Sequence, residues 1–167
     1  FKWNGYFIFS KFPDLFYGIG PNTSKGNEEE FQYTKLTVRT SFLFEIIEYL
    51  YIGPLFRYSH FIIDKKKSNG ILASNPIPGN DGSDVSGFGI QISWDSRNSL
   101  FFTVHGFLLD AKLNIYRREF GSEYNYLQFE IDTRHFFQIA KDQVIALQGI
   151  LFINYGKRLK LVTEKGV

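Results

Sequence analysis

From Leu36 to Glu45 the even positions Leu36, Val38, Thr40, Phe42 and Phe44 are mostly apolar, while the odd positions Thr37, Arg39, Ser41, Leu43 and Glu45 are mostly polar. A period of two is the repeat of a strand with unlike faces, because successive side chains point to opposite sides of a sheet. The pattern recurs along the chain. Leu50, Ile52, Pro54, Phe56, Tyr58 and Ile62 oppose Gly53, Arg57 and Ser59, with Leu55 and Phe61 as exceptions. Pro54 has no ladder donor, which predicts a strand that is distorted or locally edge-like there.

Phe88, Ile90, Ile92 and Trp94 oppose Gly89, Gln91, Ser93 and Asp95, and after a turn Phe107, Leu109, Ala111, Leu113 and Ile115 oppose Asp110, Lys112 and Asn114. Leu127, Phe129 and Ile131 then alternate with Gln128, Glu130, Asp132 and Arg134, and the segment from Val144 to Asn154 is apolar on both faces. At the start, Asn4 to Gly20 predicts one long strand, interrupted around Pro13 and Asp14.

Long links at about 21–33, 64–85 and 117–123 alternate with short ones near 47–49, 97–104 and 138–142. Long loops at one rim and short turns at the other belong to an up-and-down barrel. The expected fold is all-β: an antiparallel up-and-down transmembrane β-barrel, partial, with about seven strands of a larger barrel. Residues 1–156 make the partial barrel domain and 157–167 a divergent or truncated tail. A closed bacterial barrel of this kind has an even number of strands, so the sequence looks cut short.

Alternation does not say which face is wet. A lipocalin-like soluble barrel is apolar inside, whereas a membrane barrel inverts that arrangement. The expected lumen-facing polar set is Arg39, Glu45, Arg57, Asp110, Lys112, Glu130, Asp132 and Arg134, with both signs interleaved. Tyr51, Tyr58, Trp94, Phe107, Tyr116, Tyr124 and Tyr126 fall towards strand ends, where an interfacial aromatic girdle sits.

Composition agrees with sheet: aromatics reach 19%, with 19 Phe and 10 Tyr. A net charge of +2 supplies no strong field for nucleic acid. There is no Cys, which excludes disulfides and thiolate metal sites. No run of about 18 apolar residues could form a membrane helix, and a chain that begins at Phe1 without a basic-then-apolar leader reads as a mature form or a fragment.

Residues Phe12 to Ser24, "FPDLFYGIGPNTS", followed by an acidic stretch and Tyr33, resemble a segment of the bacterial surface antigen proteins, the BamA/TamA outer-membrane family. "SGFGIQISWDSRNSLFFTVHGFLLDAKL" resembles that family's Gly-rich strand, Asp-Thr-Arg-Asp-Asn turn, aromatic pair and following long strand. "FGSEYNYLQFEIDTRHFFQI" resembles its Gly-Ser-acidic-Tyr strand and partner. The positions carrying the resemblance are Phe12, Pro13, Phe16, Gly18, Gly20, Gly87, Gly89, Asp95, Arg97, Phe101, Gly106 and Gly121. Ser96, Asn98 and Thr103 depart from the usual residues at turn positions, and the family's Arg-Gly-Tyr loop has no counterpart. The resemblance implies the bacterial cell outer membrane as location, outer-membrane lipid as surroundings, and client outer-membrane proteins or assembly subunits as partners in protein insertion or translocation. It implies no cofactor.

Enzymatic chemistry finds little support. His60, His105 and His135 lie in separate segments without ligand spacing, and no G-x-S-x-G elbow occurs. Glu130 and Asp132 with Arg134, and Asp110 with Lys112, read as lumen ion pairs rather than as a paired-carboxylate site. Lys65, Lys66 and Lys67 read as a solvated loop entrance. Asp95 and Arg97 read either as an ion pair fixing the turn or as two solvated charges. The expected function is a non-enzymatic outer-membrane barrel, without catalytic, cofactor-binding or metal residues; a soluble lipocalin-like binder and a passive porin are the alternatives.

Overall fold

The computed structural model describes residues 1–18, 23–74 and 79–156. Gly20 and the 157–167 tail lie outside the described residues. Seven strands form one sheet in chain order: β1 (Lys2–Phe16), β2 (Glu29–Ile47), β3 (Leu50–Lys65), β4 (Gly82–Asp95), β5 (Gly106–Tyr116), β6 (Tyr126–Ala140) and β7 (Gln143–Tyr155). Each runs antiparallel to the next, so β1 and β7 are the edges. No helix among the described residues is long and apolar enough to cross a membrane, which says nothing of strands.

Pairing reaches beyond the stretches where alternation is visible. β2 begins at Glu29, opposite Phe16 of β1, although Glu30, Gln32 and Thr34 make one face of its early part polar and Phe31 and Tyr33 share the other with Glu29 and Lys35. The interruption expected at Pro13 is absent: Pro13 stands opposite Gln32 inside a continuous register. An edge strand tolerates proline, since it has a side that needs no donor. Pro54 behaves otherwise. Pairing between β2 and β3 passes from Ser41–Leu55 to Phe44–Ile52 and skips Phe42 and Leu43, while the β4 side stays paired through Pro54–Ile90. A Cβ at the neighbouring Gly53 would strike the Phe42 carbonyl, so the two backbones approach closely there.

The links are less regular than expected. Glu48 and Tyr49 join β2 to β3, and Lys141 and Asp142 join β6 to β7, with Tyr49 and Asp142 at positive φ. The β4–β5 link at the same rim, residues 96–105, is instead as long as the 117–125 link opposite. It holds its shape by side-chain bonds: the Asn98 Oδ1 accepts from the amides of Val104 at 3.0 Å and His105 at 3.2 Å. The β3–β4 link contains a short helix, α1 (Ile71–Ser74), whose buried Leu72 amide donates to Glu29 Oε2 at 3.0 Å.

The sheet curls into a half-barrel. Four strand spacings separate β2 from β6, about 19 Å in a flat sheet. Yet Arg39 Nη2 on β2 lies 3.6 Å from Glu130 Oε2 on β6. Only strong curvature towards the face bearing these two residues brings them together.

Candidate functional site

Register assigns every strand residue to a face, because residues directly opposite each other project to the same side. The face with Arg39 and Glu130 is concave, and the other is convex. On the convex side stand Phe7, Phe9, Phe42, Phe44, Phe88, Ile90, Ile92 and Leu113, all exposed; Phe9 keeps 64% of its surface and Phe88 50%. On the concave side Thr37, Ser41, Gln91, Ser93, Asn114 and Gln128 are buried, beside Leu43, Leu55, Leu108 and Tyr116. Burial therefore follows curvature and not polarity, the inverse of a water-soluble domain.

All eight residues expected to share the polar face do so: Arg39, Glu45, Arg57, Asp110, Lys112, Glu130, Asp132 and Arg134 project to the concave side. Their signs are not evenly interleaved. Arg39 stands directly opposite Arg57, and Asp110 directly opposite Asp132. Like charges in that relation repel and must be compensated by neighbours. Lys112 Nζ donates to Glu130 Oε1 at 2.8 Å, and Arg39 approaches the other carboxylate oxygen. Arg57 Nη1 donates to Gln128 Oε1 at 3.0 Å. On the acidic side Gln91 Nε2 donates to Asp110 at 3.0 Å, while Arg134 Nη2 and Gln148 Nε2 donate to Asp132 at 2.7 and 2.9 Å. Glu45 lies at the turn rim, exposed. A cavity of about 510 Å³ opens on this face, with Lys2, Arg39, Gln91, Asp110 and Lys112 in its wall.

The positions behind the resemblance scatter over the sheet. Gly87 and Gly89 make room on the concave face: a Cβ at Gly87 would come within 2.6 Å of the Tyr116 ring, and one at Gly89 would strike the Leu113 carbonyl. Gly106 opens β5 at φ 115°, a left-handed conformation that side chains rarely adopt. Gly18 follows β1, Gly121 ends the short 3₁₀ turn after β5, and Phe12, Pro13 and Phe16 lie on the edge strand. Phe101, at the tip of the 96–105 link, is 89% exposed. Asp95 and Arg97 form a two-point pair, with Arg97 Nε donating to Oδ1 at 2.8 Å and Nη2 to Oδ2 at 3.0 Å. The Asp95 bond holds the Arg97 guanidinium above its already high pKa. Lys2 from the edge strand adds a third contact, 3.4 Å from Asp95 Oδ2.

The expected aromatic girdle divides between the faces. Trp94, Phe107 and Tyr58 are convex, but Tyr51, Tyr116 and Tyr126 are concave. Tyr116 is 1% exposed, stacks on Tyr126 at 4.2 Å and donates to Gln128 Oε1 at 3.1 Å. Lying near a strand end does not set a side chain's face; the parity of its position does. The same parity count would have found Asn114 and Gln128, concave polar residues outside the expected set. On β7 the concave side is not polar, since Ile150 and Phe152 stand there exposed.

The histidines stay apart. His60 Nδ1 lies 2.8 Å from Asp84, which also accepts from Tyr58, and His135 stacks on Phe137. Among the described residues no group of three or more His, Asp and Glu is placed to hold a metal ion. Lys65, Lys66 and Lys67 face Glu28, Glu29 and Glu30 across a rim cavity of about 650 Å³. Comparison with protein-family models, with curated proteins and with solved structures finds no match to this chain.

Proposed function

We propose that this chain is part of the wall of a bacterial outer-membrane β-barrel, with lipid against its convex face and water against its concave face. The observation that carries the reading is the inverted burial. Large apolar side chains are left exposed on the outer surface of a curled sheet, while serines, glutamines and ion pairs line its inner surface. A soluble lipocalin-like barrel needs the opposite arrangement to hold an apolar ligand. The resemblance to the surface antigen proteins supports placement in the outer membrane and a non-catalytic part in assembling or translocating outer-membrane proteins.

Strand direction adds a requirement. Among the described residues β1 and β7 are both open and run the same way, and lipid tolerates no open sheet edge. An antiparallel wall around both edges closes only by adding an odd number of strands between them. A second reading, a passive conduit, is favoured by the charged lining of the 510 Å³ cavity. Large conductance independent of any client protein would single it out.

The test is to express the chain with and without detergent micelles or liposomes, following β-structure by circular dichroism and mass by sedimentation. The reading expects a folded species only with lipid or detergent. A folded monomer in plain buffer overturns it.

A further inference from the structure

Two links of similar length leave the sheet at opposite rims and differ in kind. Residues 117–125 carry Arg117, Arg118, Glu119 and Glu123, and their one phenylalanine, Phe120, folds back edge-on to Phe88 at 5.2 Å. From Asn98 to His105 the other link holds no Asp, Glu, Lys or Arg. At its tip Leu100, Phe101 and Phe102 follow one another with 64%, 89% and 85% of their surface exposed. Leu100 stands in the wall of the 510 Å³ cavity, whereas neither phenylalanine has a ring contact among the described residues.

The tip is held out by its own hydrogen bonds. Thr103 Oγ1 donates to the Ser99 carbonyl at 2.6 Å, and the Phe102 amide donates to Ser99 Oγ at 3.2 Å. The Asn98 amide donates to the His105 carbonyl at 3.2 Å, which closes the neck beside the two bonds that Asn98 Oδ1 accepts. A preformed tip loses little freedom when it meets a partner. The convex face reaches this rim in rings: Trp94 lies 6.3 Å from Tyr49 where β4 ends, and Phe107 meets His135, which stacks on Phe137, where β5 begins.

We infer that the 96–105 link is a membrane-interface anchor: Phe101 and Phe102 enter the boundary between headgroups and acyl chains and fix the height of the wall in the bilayer. Withdrawing one phenyl side chain from water favours the inserted state by about tenfold or more. The polar neck, with Asn98, Ser99, Thr103 and His105, keeps the insertion shallow, because unpaired polar groups are excluded from the hydrocarbon. The headgroup boundary is also where aromatic side chains of membrane proteins gather. The inference rests on the convex face being the lipid side, as in the reading above.

The test is depth-dependent fluorescence quenching of the full chain in liposomes, with β-sheet confirmed by circular dichroism. Trp3→Phe and Trp94→Phe remove both native tryptophans, so that Phe101→Trp supplies the sole emitter, and Phe102→Trp repeats the measurement on the second ring. Ile90→Trp in the same background, on the outward face of β4, reports on the wall itself. Lipid brominated near the headgroup should quench positions 101 and 102 more strongly than lipid brominated near the chain ends, and position 90 should also lose emission to brominated lipid. Quenching of 101 and 102 by aqueous iodide and by neither brominated lipid, with position 90 quenched from the lipid, overturns the anchor and spares the membrane reading. Position 90 quenched by iodide alone overturns both. Stronger quenching of 101 and 102 by the chain-end bromines overturns the interfacial placement.

Discussion

Neighbouring residues of β4 meet opposite surroundings. Phe88, Ile90 and Ile92 stand on the convex side, exposed, whereas Gln91 between the two isoleucines and Ser93 next to Ile92 are buried among the side chains of the concave side. Both sets occupy one strand, so neither local conformation nor position along the chain accounts for the difference; curvature does. Bending the sheet crowds the concave side chains together and spreads the convex ones apart. The crowded side holds hydroxyls, amides and ion pairs around a few buried apolar side chains, Leu43, Leu55, Leu108 and Tyr116, and the spread side holds mainly rings and branched alkyls. Such a sheet is stable where the medium outside is apolar and the medium inside is water.

That contrast is most easily broken from the outside. Ile90→Lys should cost roughly 2–4 kcal/mol in liposomes if Ile90 lies near the bilayer midplane. On a face that met water the same charge would stay within about 0.5 kcal/mol. Denaturant titration in vesicles reads the difference.

The concave side should resist added bulk instead. Gly87→Val pushes into the Tyr116 ring, and a loss of about 1–3 kcal/mol in the same titration is expected from overpacking. The same change at Gly149, exposed on the convex side of β7, should cost less. At the turn, Asp95→Ala removes both Arg97 side-chain bonds, the bond from the Arg97 amide and the Lys2 contact. A loss of roughly 1–2 kcal/mol follows for a partly buried pair. Arg97→Ala in the Asp95→Ala background should then add little, which a double-mutant cycle checks. Smallest of all, Lys11→Ala breaks an exposed pair with Asp64 at 3.4 Å and should leave the midpoint of the same titration unchanged.

Strand number and the two faces were legible in the sequence because a period of two survives wherever the faces differ in polarity. Strand ends were not. The beginning of β2 is polar on one side and mixed on the other, so pairing continued where the pattern had faded. Pro13 and Pro54 looked alike as breaks, and only the place of each strand in the sheet separates them: β1 is an edge and β3 is central. The polar residues of the concave face could be named, but not their grouping. Arg39 and Arg57 became neighbours through register, and Glu130 joined them through curvature across four strand spacings. Neither leaves a trace in local spacing. Tyr116 was misplaced for a simpler reason: its parity matches Asn114 and Lys112, and that count outweighs its nearness to a strand end.

The most direct test of the inverted faces uses the absence of cysteine in this chain, which makes any introduced thiol unique. Leu147→Cys and Gln148→Cys, adjacent on β7, both exposed and on opposite faces, would each carry an environment-sensitive fluorophore in liposomes. Quenching by lipid-borne nitroxide and by aqueous iodide would then be compared. The expected result is that the probe at 147 is quenched from the lipid and the probe at 148 from the water. Iodide reaching position 147 as readily as position 148, or lipid nitroxide quenching position 148 more strongly, would contradict the account.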